Sequence, residues 1–475
     1  MLSFSQVVKI VISTSGELKT LFTEDEKQTV NELVVSGSID ARDFKFIQSS
    51  LKNLFKIDLF NATISNYSGS EGPTNKSTSY PENELPTFSF SYRTELKGME
   101  NLQTVILPGS LKTIGVGAFG FCGRLNTVEI FDSVTSIASM AFLKCNALKS
   151  INLPRSLASI SDDSFDLCSA EFIVDSENQQ YSSNNGILYN KEQTSLIKCP
   201  NSKTSVIIPE SVEEIKSTAF YGCSIVSVQL PSSLIKIGQG AFNQCNKLEK
   251  IYIPSTVTAF GKYAFSGCSS LKTVFIDEGI EEIPDGAFLD CDIVDLSLPL
   301  TLKSIGDEAF KNSRALQQVT IPAHVETVGD EAFGYCYALR AIYSISFDPP
   351  MAGGAFWFVD KAACILHVPF GRTEAYRNAN SWSDFFEIKE MEATLVENCV
   401  NKSKITIFPN PINDYVKIYG VHYPCEVQII DMGGNVQIHK YITEENFVLQ
   451  TDCLSAGVYL LKTNEINSEV KLIKK

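Results

Sequence analysis

The sequence of 475 residues predicts an α/β to mainly β fold, a solenoid of about nine coils of 22 to 23 residues with caps, followed by a small C-terminal β-sandwich. Three observations carry the prediction. The phrase Ala-Phe-x-x-Cys recurs with its Phe at Phe119, Phe142, Phe165, Phe220, Phe242, Phe265, Phe288, Phe310 and Phe333, at intervals of 22 or 23 residues apart from one of 55. Apolar residues keep fixed offsets ahead of each Phe. Beyond residue 403 the repeat gives way to strand-like runs split by Pro-Asn-Pro, Gly-Gly and Ser-Ala-Gly turns.

Each offset has a structural meaning. Fourteen and twelve residues before the Phe stand apolar pairs such as Val105 and Leu107, Val228 and Leu230, and Ile251 and Ile253. That is the alternation of a short strand with one buried face. Pro follows at Pro108, Pro154, Pro209, Pro231, Pro254, Pro299 and Pro322, with Phe131 and Asp277 as departures. It ends the strand because it has no N–H to continue a ladder. Eight before the Phe is Leu, Val or Ile, and five before it Ile, Val or Phe, as at Ile114, Phe260 and Val328. One copy alone buries nothing. Stacked in parallel at about 4.8 Å per coil, equivalent positions meet in continuous columns, and each large apolar side chain contributes about 1.5 to 3 kcal/mol. Stability is then a nearest-neighbour property.

The cysteines read as small apolar rungs of one such column. Zinc needs four convergent ligands, and the four histidines, His324, His367, His422 and His439, accompany no phrase. Disulfides need Cβ atoms about 3.8 Å apart and facing, whereas stacked rungs stand about 4.8 Å apart with parallel side chains. Ser313 replaces Cys in one copy, and Ser164 replaces Ala in another. No metal and no cofactor is expected.

A net charge of -15 and a pI near 4.9 argue against nucleic acid and against anionic membrane surfaces. The opening run VVKIVI at 7–12 is too short for a membrane span and for a signal-peptide core. Gly115-Val-Gly117-Ala-Phe-Gly120 fits G-x-G-x-x-G on paper, but no long helix follows it. No G-x-S-x-G, H-E-x-x-H or Walker motif occurs, and the acids of EEI and GDEAF read as solvated coil edges. The expectation is a protein that is not an enzyme.

The pattern L-x-x-[VI]-x-[IL]-P-x-[ST]-[LV]-x-x-I-G-x-x-A-F-x-x-C resembles the BspA-like leucine-rich repeats of bacterial surface antigens, over about residues 96 to 345. Residues 1–95 look like a capping region, with Leu54, Ile57, Leu59, Ala62 and Ile64 in the places of a divergent leucine-rich repeat and Phe90 closing a degenerate first coil. A β insertion at about 172–203 reads as budding from one coil, and a C-terminal cap spans about 344–390, with a short helix at Thr373 to Asn378. After a linker at 391–403, residues 404–475 resemble the C-terminal sorting domain of the type IX (Por) secretion system, through Pro409-Asn410-Pro411, Asp431 with Gly434, Leu454 with Ala456-Gly457-Tyr459, and Lys474-Lys475. The resemblance implies export and an extracellular or cell-surface fate, which leads us to expect that an export signal precedes the start of this sequence.

One residue of each strand lies between the two buried ones and points outwards: Ile106, Glu129, Asn152, Ile207, Gln229, Tyr252, Phe275, Ser297 and Thr320. Tyr252 and Phe275 are adjacent rungs, flanked by Lys250 and Thr273. They either stabilise the sheet as a cross-strand pair or anchor a partner, so Tyr252, Phe275, Lys250 and Gln229 are the candidate binding residues. The expected function is adhesion or another protein or glycan contact at the cell surface, possible host matrix included, and the alternative is a structural spacer with no specific ligand.

Overall fold

The computed structural model describes residues 7–391 and, nearer the C terminus, 406–408, 415–419, 425–431, 435–442, 448–463 and 470–474. The linker expected at 391–403 and the Pro409-Asn410-Pro411 turn lie outside the described residues, apart from Met391.

Every repeat folds as one turn of a parallel β-solenoid. The alternating apolar pairs form a ribbon of short strands, for example Thr104–Ile106 beside Thr127–Glu129 and Lys250–Ile253 beside Thr273–Ile276, with Val105 opposite Val128 and Ile251 opposite Val274. After the ribbon a turn closes from Leu111 N to Pro108 O at 3.1 Å. A two-residue strand then follows, in which Ile114, Ile137 and Ile160 pair in register. The phrase phenylalanines lie flat on one another, with ring centroids 4.6 to 5.9 Å apart from Phe220 to Phe356. The described helices, Glu24–Thr29, Ala41–Ser50 and Thr373–Arg377, all lie outside the repeats.

The bend that carries the Phe has a geometry of its own. In coil after coil the amides two residues before the Phe, at the Phe and two residues after it donate to carbonyls of the following coil, as Gly117 N to Ser139 O, Phe119 N to Ala141 O and Phe121 N to Leu143 O. The flanking residues take positive φ, 53 to 65° at Thr218, Phe121, Lys144, Gln244, Asn312 and Tyr335. For such residues the left-handed region costs about 1–2 kcal/mol. The hydrogen bonds that this arrangement aims at the next coil offset that cost.

The cysteine column is a ladder of thiol hydrogen bonds. Sγ of Cys122, Cys145, Cys245, Cys268 and Cys291 donates to the Phe carbonyl of the preceding coil at 3.0 to 3.2 Å. Burial drives Cys122, Cys145, Cys245 and Cys291 towards the protonated form, as it does Cys168 and Cys336, pushing Cys122 and Cys336 up to about 12 and Cys168 to about 11. Ser313, at the same position, is buried with its hydroxyl unpartnered. The C–O bond is shorter than C–S and falls short of the carbonyl. Ser164, where other copies have Ala, also leaves a buried hydroxyl unpartnered.

The insertion does not bud from a coil, contrary to expectation, because Ile187, Leu188 and Tyr189 in its second strand make that strand apolar on both faces and buried on both. Tyr181–Asn184 and Ile187–Asn190 form a hairpin around Asn185-Gly186, and Ser195–Lys198 joins the column of two-residue strands in parallel. Ile187, Tyr189 and Leu196 enter the core that follows, while Leu188 enters the core that precedes and Ile197 packs against it. The hairpin is a wall between two cores. Across it Lys198, almost fully buried, pairs with Asp166 and donates to Thr218 O at 2.6 Å.

Aromatic rings set edge-on close both phenylalanine stacks. Phe44 and Phe172 meet Phe90 and Phe165 at 82° and 88°, and Trp382 and Phe385 meet Phe356 at 62° and 74°. In the C-terminal part an antiparallel three-stranded sheet (Thr406–Phe408, Tyr415–Tyr419, Val448–Gln450) and a four-stranded one (Cys425–Asp431, Val436–Ile442, Gly457–Thr463, Val470–Lys474) share a core. Val416, Ile418 and Leu449 come from the first, and Val427, Ile429, Leu461 and Leu472 from the second.

Candidate functional site

Nearly everything inside the solenoid is committed to holding coils together. The glycine-rich stretch at 115–120 illustrates this. The amides of Gly117 and Phe119 donate to Ser139 and Ala141 of the next coil, and those of Ala118 and Gly120 close turns onto Gly115 and Gly117, so these four are not open to cradle a phosphate. The acids of GDEAF do more than edge the coil: Asp307 Oδ1 accepts from Asp330 N and Asp330 Oδ1 from Gly354 N, both at 2.8 Å. Among the described residues no group of three or more His, Cys, Asp or Glu gathers as a metal site, and no helix is long and apolar enough to cross a membrane.

The outward row of the ribbon remains. Tyr252 and Phe275 stand opposite one another in register and stack at 5.4 Å and 21°. They form a small cluster apart from the inner cores. Tyr252, however, is only 8% exposed and its hydroxyl donates to Asp277 Oδ2 at 2.5 Å. It faces outwards but is covered. Gln229, one rung earlier, is 5% exposed, so the reading of these two as open surface is corrected. Packing of long side chains from adjacent rungs over one another explains both. Lys250 is half-buried and its pKa is lowered by burial. Of the four candidates, Phe275 and Lys250 retain intermediate exposure.

The row runs further than the sequence reading took it. Tyr343 and His367 stack at 4.5 Å and 13°, one and two rungs beyond Thr320. Burial and Lys389 lower the pKa of His367, so its ring is neutral at pH 7. Counting thirteen residues back from Phe356, where the phrase survives without its Cys, finds Tyr343. Along the last rungs the row therefore reads Tyr252, Phe275, Ser297, Thr320, Tyr343, His367, two aromatic stacks separated by two hydroxyls.

Residues 93–195, 190–317 and 281–348 match a family model described as BspA type leucine rich repeat region, and residues 406–475 match one described as secretion system C-terminal sorting domain. Among solved structures the chain is similar to a leucine-rich repeat protein from Eubacterium ventriosum, at 20% identity over 74% of this chain and 90% of that one, with a TM-score of 0.49. It is also similar to a leucine rich cell surface protein from Faecalibacterium prausnitzii, at 22% identity over 70% and 82% with a TM-score of 0.43. A third is the pneumococcal vaccine antigen PcpA, at 19% identity over 77% and 85% with a TM-score of 0.42. No curated protein matches.

Proposed function

Because the chain belongs to the BspA-type leucine-rich-repeat proteins and ends in a secretion sorting domain, we propose that it is an exported, non-catalytic protein that binds a protein or glycan partner at the bacterial cell surface. The outward ribbon face of the second half of the solenoid is the binding surface. Residues 404–475 hand the chain to a type IX secretion machinery. One observation carries the reading: this face holds stacked aromatic rings that no inner core uses, and partly exposed aromatics are the usual anchors of protein surfaces.

The test is binding of the full chain to immobilised matrix and serum proteins and to oligosaccharides. A saturable partner is expected, and changing Phe275 and Tyr343 together to Ser should weaken it by about 2 kcal/mol or more. The melting temperature should hardly move, since an outward cross-strand pair is worth about 0.2–1 kcal/mol. No saturable partner would favour a spacer, and binding indifferent to both residues would move the binding surface off this face.

A further inference from the structure

Between the two aromatic stacks the ribbon opens. Strand Asp295–Ser297 pairs with Thr273–Ile276 but not with Gln318–Ile321, which pairs onward with Ala341–Ser344; the ladder is also broken between Thr127–Glu129 and Ser150–Leu153 and between Ser227–Gln229 and Lys250–Ile253, but here the break falls between the two stacks. The rest of these coils continues without a gap: Ile283, Ile305 and Val328 stay paired, and Phe288, Phe310 and Phe333 stay stacked at 5.4 and 5.3 Å. The ladder is interrupted on the ribbon side alone. Leu296 and Leu298, the inward residues of the edge strand, are both partly exposed, whereas Val274, Ile276, Val319 and Ile321 on either side are buried.

An aromatic ring walls each side of the opening. Phe275 has Tyr252 on one face, so its other face turns to the rung of Ser297. Tyr343 has His367 on one face, so its other face turns to Thr320. Three rungs separate the walls, which leaves about 11 Å between the ring surfaces at about 4.8 Å per rung. Ser297 and Thr320 form the floor, with Asp295 and Gln318 beside them on the same face of the strands, and all four are reached by solvent.

We propose that this slot binds a neutral saccharide. The faces of Phe275 and Tyr343 carry the negative part of the ring quadrupole and attract the polarised C–H groups on the flat side of a sugar ring. The hydroxyls of Ser297 and Thr320, the amide of Gln318 and the carboxylate of Asp295 offer donors and acceptors to its hydroxyl groups. An apolar protein side chain would desolvate that floor without compensation. The net charge of -15 opposes sulfated or sialylated glycans. The proposal rests on the outward face being the binding face.

The full chain is screened on a printed array of neutral oligosaccharides, and the best responder is titrated by saturation-transfer NMR. Saturable binding is expected, with the strongest transfer to sugar ring C–H protons when aromatic resonances are irradiated. Ser297→Trp and Thr320→Trp, which fill the slot from its two sides, should abolish the response with melting unchanged. Asn152→Trp, on the exposed ribbon before the insertion, should leave it intact. No array response, or binding that survives both slot-filling changes, overturns the proposal. A protein partner blocked by Ser297→Trp in the absence of any saccharide binding overturns the slot while leaving the surface-binding function standing. Absence of any partner overturns both.

Discussion

The insertion divides the solenoid into two blocks built from the same repeat. The first core runs from Ile12 to Leu188 and the second from Ile187 to Phe385. In the first, four stacked rings from Phe90 to Phe165 end against Phe172; in the second, seven from Phe220 to Phe356 end against Trp382 and Phe385. The outward rows differ more. Ile106, Glu129 and Asn152 show no aromatic stack in the first block, whereas the second carries two. The inner columns decide that coils stack. What interrupts them decides how far cooperativity runs, and the outward row varies independently of both.

Alkali should separate the blocks most strongly. The first contains the buried thiols Cys122, Cys145 and Cys168, and the second Cys199, Cys223, Cys245, Cys268, Cys291, Cys336 and Cys364. Burial raises the folded pKa of Cys122, Cys145 and Cys168 in the first block and of Cys199, Cys245, Cys291, Cys336 and Cys364 in the second, to about 12 for Cys122, Cys336 and Cys364, above the unfolded value of about 8.5. Above that pH the unfolded chain sheds thiol protons that the folded chain keeps, so stability is lost as pH rises, by about 2 kcal/mol per thiol at pH 10. Alkylation followed by peptide mapping should label the second block at a lower pH than the first, with exposed Cys453 labelled throughout. Simultaneous labelling of both blocks would make them one unit.

A smaller effect tests the wall directly. Phe142→Ala and Phe242→Ala each remove a ring from the middle of a stack and should each cost about 3–5 kcal/mol. Hydrogen exchange should show lost protection within the substituted block and little beyond residues 187–198. Loss spreading evenly across the wall would show that Lys198 and its neighbours transmit the full cost. The smallest effect has the opposite sign. Ser164→Ala in the first block and Ser313→Cys in the second each remove an unpartnered buried hydroxyl, and each should stabilise its own block by about 1 kcal/mol, read as a rise in melting temperature.

Spacing alone makes the strands, the Phe stack and the buried cysteines legible in the sequence, because each column demands one residue type at one offset. The left-handed bend positions were not legible. Phe121, Lys144, Leu167, Gln244 and Tyr335 share no chemistry, since the backbone hydrogen bonds they direct do not depend on the side chain. The wall was missed because alternation of apolar residues shows that a strand has two buried faces only once both neighbours are known. For the same reason Tyr252 could be assigned to the outward side but not recognised as covered, and the row ended at Thr320 because the phrase that indexed it had lost its Cys.

The amides two before, at and two after the Phe point, in coil after coil, towards the following coil, so this one column aligns its peptide dipoles as an α-helix does, but with the poles exchanged, while amides such as Lys112 N and Ala138 N point to the preceding coil. Carbonyls gather at the N-terminal pole and amides at the C-terminal one. The chain answers the first in kind: the amide of Gln48 donates to the carbonyls of Phe88 and Ser91. The stack thus has a head and a tail at its bend, so a coil can be spliced into it in one orientation only.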